Sequence, residues 1–206
     1  MIRRLALSLL PLAAVFAVAA PSAQAGLLTV APESCENPDF EKPFLPWLDP
    51  ANYVKAPDGT IEAGAAGWQL DGAEVVAGNE PFYVNSTADS KSLRISSGGS
   101  ATSPAMCVGI EHPTLRFFVK RQGGTVLSNL RVDLLYNNHL GQLETLPAVG
   151  AVTGTSSWAP TAQMVIPVSL LPLLPGDHTP VAFRFVPQGS GSWQIDDVYV
   201  DPYTRR

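Results

Sequence analysis

The sequence has little charge: Asp, Glu, Lys and Arg make up 15% of its 206 residues, well below the usual quarter. Hydrophobic residues reach 46%, and that balance excludes an intrinsically disordered chain. No stretch carries an amphipathic helical stripe of useful length, which, with 17 Gly and 19 Pro, excludes a helical bundle. A basic surplus is missing too. Net charge is −5, so nucleic acid and anionic lipid are poor partners. There is no G-x-S-x-G elbow, no H-E-x-x-H helix and no phosphate loop. Histidines number three, His112, His139 and His178, and none belongs to a recognisable motif. Beyond residue 25 no apolar run is long enough to cross a bilayer, since leucine-rich 167–175 is broken by Pro167, Pro172 and Pro175.

What is present begins with an export signature. Arg3 and Arg4 precede the apolar run 5–20, and Ser22-Ala23-Gln24-Ala25 places small residues where a signal peptidase reads. Residues 1–25 are expected to be cleaved and the product to be secreted, without a membrane span. Removing them leaves 11 basic against 18 acidic side chains, net −7. The two cysteines, Cys35 and Cys107, are expected to form one disulfide in an oxidising compartment. Closing that loop restricts the unfolded chain by roughly 4 kcal/mol in the loop-entropy model. Two cysteines without neighbouring histidines make a poor zinc site, and papain-like signatures are absent.

A short polar lead, 26–34, opens the secreted chain, and 204–206 is a tail. Between them, 35–203 reads as one all-β domain. Asn37 to Pro50 is irregular, with Phe40, Phe44 and Trp47 spaced to cover one side of a core. From residue 67 short β-compatible runs recur every eight to twelve residues between Gly, Asp, Asn and Pro clusters, as a sandwich requires. The expected strands are 68–70, 73–76, 82–84, 92–95, 106–110, 115–120, 130–136, 143–149, 162–166, 181–186 and 193–200. Ser96 to Ser103 reads as turn material. Alternation is clearest in Leu130-Arg131-Val132-Asp133-Leu134 and Val181-Ala182-Phe183-Arg184-Phe185, each with one face buried. Asp58-Gly59, Asp71-Gly72, Gly98-Gly99 and Gly123-Gly124 suit tight connections.

The two ends carry the most specific pattern. Asn37-Pro38-Asp39-Phe40-Glu41 lies near the start, and Trp193-Gln194-Ile195-Asp196-Asp197-Val198-Tyr199-Val200 near the finish. This pairing resembles the galactose-binding-like jelly-roll domains that include many carbohydrate-binding modules. Gly78-Asn79-Glu80-Pro81-Phe82 and Leu115-Arg116-Phe117-Phe118-Val119 are similar to stretches of uncharacterised secreted bacterial proteins of that architecture. The resemblance implies a single jelly-roll β-sandwich of about 8–11 antiparallel strands, with the first and last strands side by side. It also implies a structural calcium ion held by Glu41 with Asp196 or Asp197, a hard-oxygen set that needs no histidine. On a regular strand those two aspartates point to opposite faces, so one is expected to reach the ion and the other solvent. The competing reading is that the aspartates accept backbone hydrogen bonds at a strand edge and Glu41 is merely exposed.

Sugar recognition stacks an aromatic ring on a pyranose and completes hydrogen bonds with amides and charged groups. Trp158, at a loop-to-strand boundary, is the preferred platform. Tyr136, Asn137 and Asn138, at an expected hairpin tip, are the preferred polar contacts, although ordinary turn chemistry also explains them. Trp68 and Trp193 read as core anchors. The function that follows is an exported, monomeric, non-catalytic module binding an extracellular glycan or cell-wall polymer, with no required cofactor. The alternatives are a structural or protein-interaction domain of the cell surface, and a small jelly-roll hydrolase or lyase. A triad assembled from distant loops, or paired carboxylates such as Glu62 and Glu74, would serve the last.

Overall fold

The computed structural model describes residues 28–30, 35, 39–112, 114–154, 156–172 and 178–201. The expected export segment 1–25, most of the 26–34 lead and the 204–206 tail lie outside the described residues. Twelve strands are found among the described residues: β1 (Phe40–Glu41), β2 (Tyr53–Lys55), β3 (Gln69–Ala77), β4 (Lys91–Thr102), β5 (Met106–Gly109), β6 (Thr114–Gln122), β7 (Asn129–Asn137), β8 (Leu143–Thr153), β9 (Ala159–Pro160), β10 (Met164–Val165), β11 (His178–Gln188) and β12 (Ser192–Asp201). The count exceeds the expected range because β1, β9 and β10 are two-residue rungs at the rims.

Two antiparallel layers share one long strand. In the first, β12 runs between β6, paired from Ser192↔Gln122 to Asp201↔Thr114, and the start of β4, paired at Trp193↔Ile95. Strand β2 continues that edge at Tyr199↔Lys55, with β1 outside it. The first strand and the last are therefore not side by side as expected, because β2 lies between them. In the second layer β11 lies between β7 and β5, with β8 beyond β7. Strand β4 crosses from one layer to the other, for its residues 101–102 pair with β11. Ser96 to Thr102 is thus strand and not turn material. The bend is possible because β3 presses its backbone onto Gly99, where a Cβ would meet the Asp71 carbonyl oxygen at 2.6 Å. The Asp71-Gly72 and Gly98-Gly99 pairs, expected as tight connections, instead make this close crossing inside two strands.

The side chains alternating inward fill the space between layers. Leu93 and Ile95, Phe117 and Val119, Trp193 and Ile195 meet Leu130, Val132, Phe183 and Phe185 from the other side. Phe117 packs edge-on to Phe185, 5.1 Å between centroids. Trp68 stacks on Phe185 and donates its indole N–H to the carbonyls of Pro57 and Asp58, so both Trp68 and Trp193 are core residues. Cys35 and Cys107 are bonded, with Cα atoms 5.4 Å apart. No helix among the described residues is long and apolar enough to cross a membrane.

A second, smaller cluster lies on the outer face of the first layer. Phe44, Tyr53, Phe118 and Tyr199 are fully buried there, with Trp47, Val84 and Trp158 packed against them. The chain covering this face is the 42–50 segment, whose only regular piece is a 3₁₀ turn at Leu45–Trp47, together with the 80–84 loop. Residues 82–84 are not the expected strand. Their amides at Phe82 and Val84 are taken by the Glu80 carboxylate and are unavailable to a ladder.

Candidate metal centre and aromatic face

Strand β12 breaks its alternation where the acidic pair falls. Its register against β6 shifts between Asp196 and Tyr199, and Asp197 takes a left-handed φ of 48°. Val198 then exchanges hydrogen bonds with the backbone of Ala56 and Gly59. A bulge of this kind sets two residues against one and re-aims a side chain. Both Asp196 and Asp197 are consequently fully buried, which corrects the expectation that one of them meets solvent.

The pair meets a third buried carboxylate, Glu80. Asp196 accepts the Glu80 N–H at Oδ2 (3.1 Å) and the Asp197 N–H at Oδ1 (2.9 Å). Glu80 accepts the Phe82 N–H and, at 3.0 Å, the Val84 N–H. Both carboxylate oxygens of Asp197 are buried with no hydrogen-bond donor. The Glu80 carboxylate beside them can serve only when one of the two carries a proton. Burial, then the charge of Asp197, pushes the Asp196 carboxyl up to about 9. Burial, then the charges of Glu80 and Asp89, pushes Asp197 up to about 8. Three carboxylates buried this close together are costly when all are ionised.

Glu41 occupies a neighbouring position. Its carboxylate accepts the Tyr199 hydroxyl at 2.8 Å and pairs with Lys55 Nζ at 3.1 Å. Lys55 also donates to Asn85, which donates to Asp89 at 2.7 Å. Glu41 is thus neither merely exposed nor left with open oxygens. Burial first, then Asp197 and Glu41, push the Tyr199 phenol well up. Calcium is a hard cation that takes six to eight oxygens; Asp197 offers two unpartnered ones, while the oxygens of Asp196 and Glu80 also accept backbone amides. A bound ion would neutralise buried charge and tie the β12 bulge to the 80–84 loop. Glu80 lies 116 residues from Asp196, and no local spacing announces their meeting.

The expected sugar-contacting residues fall in two places. Trp158 is half-buried against the outer aromatic cluster, with Lys120 Nζ 4.9 Å from its ring centroid. Trp47 packs on Phe82 and Phe118 at 4.9 and 5.3 Å, and Phe82 and Tyr83 are nearly half exposed. Tyr136 belongs to the second layer and its ring lies in the main core, its hydroxyl donating to Glu144 at 2.8 Å. Asn137 exchanges hydrogen bonds with the backbone of Leu28. Asn138 accepts the Leu140 and Gln142 amides and closes the β7–β8 turn.

The outer face of the second layer carries a different feature. Asp133 is fully buried, held by Arg131 at 2.9 and 3.0 Å, by Arg184 at 3.0 Å and by the Ala148 N–H at 2.9 Å. Burial works to raise its pKa, but the amide and the two guanidinium groups outweigh it and hold the carboxyl below the usual range. The two arginines are fixed on this carboxylate, with Arg184 Nε buried and unpartnered.

No protein-family model matches the chain, and no curated protein does. Solved structures do. The CBM22-1 xylan-binding domain of Paenibacillus barcinonensis Xyn10C is similar over 76% of this chain and 97% of its own, with a TM-score of 0.51 and 11% identity. The CBM22-1–CBM22-2 tandem of the same protein matches over 75% of this chain and 46% of its own, with a TM-score of 0.52 and 12% identity. The chain therefore has the jelly-roll β-sandwich fold of carbohydrate-binding modules.

Proposed function

We propose that this chain is an exported, monomeric, non-catalytic module that binds an extracellular glycan, with xylan as the first polymer to test. The observation that carries the reading is the patch of partly exposed rings, Trp47, Phe82 and Trp158, seated on the buried Phe118 with Lys120 over one of them. Rings held rigidly by a core cost little entropy to present to a sugar face, and a neighbouring ammonium donates to hydroxyls. The fold shared with a xylan-binding domain supports the polymer class by analogy. Complete burial of Glu80, Asp196 and Asp197 keeps a substrate away from the raised carboxyls, which favours binding over hydrolysis.

In the same reading Glu80 and Asp197, backed by Asp196, hold a structural calcium ion, and residues 1–25 direct export and are removed. Affinity electrophoresis of the wild-type protein through xylan-containing gels tests the ligand. Retardation that is lost in Trp158→Ala and reduced in Trp47→Ala is the expected outcome. Free migration through xylan and a panel of other cell-wall polysaccharides would overturn the glycan reading and leave a structural or protein-interaction role at the cell surface.

A further inference from the structure

Away from the acidic centre, a second cluster joins two segments of the opposite layer. We propose that Glu111, His112 and His178 form a binding site for one divalent transition-metal ion of the zinc class. Their ligand atoms all lie within 4.8 Å of one another. Glu111 Oε1 is 2.6 Å from His178 Nε2 and 3.6 Å from His112 Nδ1. Tetrahedral zinc, with bonds of about 2.0–2.1 Å, separates its ligand atoms by roughly 3.3–3.5 Å. The two Glu111 spacings bracket that value, and coordination requires the imidazole nitrogens, within 4.8 Å of each other, to settle at it.

The frame is rigid for reasons independent of any metal. His178 opens β11 and pairs with Gly109 at the end of β5, and the turn carrying Glu111 and His112 is closed by the His112 N–H to the Gly109 carbonyl at 3.0 Å. The disulfide fixes Cys107 on the same short strand. His112 Nδ1 accepts the Gly109 N–H at 2.9 Å, and Glu111 is joined to His178. Metal capture exchanges these contacts for coordination. His112 is buried, whereas the Glu111 and His178 side chains are 33% and 28% exposed. An ion can therefore enter from solvent and retain water at a fourth position. Two imidazoles with one carboxylate select borderline cations, which distinguishes this site from the all-oxygen centre.

The test uses the full chain, stripped with chelator and returned to buffer containing excess Ca²⁺ so that the hard-oxygen centre is saturated. Zn²⁺ titrated calorimetrically should bind with one-to-one stoichiometry. At about a hundred times its Kd it should raise Tm by roughly 5–10 °C. Co²⁺ should give visible ligand-field absorption. Glu111→Gln and His178→Gln, both at partly exposed side chains, should keep the circular dichroism spectrum and weaken Zn²⁺ at least about tenfold, while Asp197→Asn binds it normally. No Zn²⁺ uptake by the wild-type chain, undiminished affinity in both site variants, or loss of Zn²⁺ binding in Asp197→Asn would overturn the proposal.

Discussion

Strand β6 buries two consecutive phenylalanines in two different environments. Phe117 enters the space between the layers, among aliphatic and aromatic side chains contributed by regular strands. Phe118 points the other way, into a cluster roofed by irregular chain and bordered by charge. There Arg116 lies 4.1 Å over the Phe44 ring and pairs with Asp49, Tyr53 donates to Asp49 at 2.7 Å, and Tyr199 donates to Glu41. The outer face of the second layer, by contrast, has Arg131 and Arg184 at its surface. Strand alternation alone supports one core. The second exists because the 42–50 segment and the 80–84 loop supply aromatic rings and carry their polar ends to specific partners.

The largest difference between the two regions should appear in truncations. Phe117→Ala should cost near the top of the range of about 3–5 kcal/mol for a buried phenylalanine, because two ladders hold the cavity open. Phe118→Ala should fall near its bottom, because a non-strand roof can settle. Urea unfolding of both variants decides it, and equal losses would show the roof to be as stiff as the main core.

Reducing the Cys35–Cys107 bond should cost about 2–4 kcal/mol. Melting with and without reductant reads this directly, and an unchanged Tm would show that the N-terminal segment is held by its other contacts.

The acidic centre separates the regions by pH. Carboxyls raised to about 8 and 9 hold protons in the folded state that the unfolded chain gives up near pH 4. Their stabilisation is therefore complete below about pH 4 and declines as pH rises toward 8–9, by about 1.4 kcal/mol per pH unit for one such group. Melting curves in chelator should fall across that window, and Ca²⁺ should flatten them. Asp197→Asn should remove most of the calcium response while stabilising the metal-free protein above neutral pH.

Smaller effects follow at the surface. Trp158→Ala should lower stability by about 1 kcal/mol or less while abolishing retention by polymer, a separation of binding from folding. Arg94→Ala, which removes the exposed pair with Glu74, should change stability by under about 1 kcal/mol in the same denaturation assay.

Much of the architecture was legible because alternation in 130–134 and 181–185 reports burial directly, and the end motifs pointed to one shared layer, in which β2 intervenes between the first strand and the last. The errors have local causes. Gly98 and Gly99 look like a turn in isolation, yet they are what lets β3 press against a bending β4. Phe82 to Val84 has strand composition, but a carboxylate two residues upstream takes its amides. Tyr136 does end a strand beside the β7–β8 turn, and its ring turns into the core because it continues the inner face of Leu130, Val132 and Leu134. The roles of Glu80 and of His178 were not legible, since Glu80 meets Asp196, and His178 meets Glu111 and His112, only through folding.

Composition and periodicity by themselves determined an all-β sandwich with one available disulfide and a closing acidic strand, because side-chain period and thiol number are properties of the chain. The tertiary structure alone decided that Asp196 and Asp197 are both interior and which carboxylate joins them. It also decided which aromatic rings reach the surface. Each depends on a one-residue bulge or a long-range neighbour, and neither is encoded in local spacing.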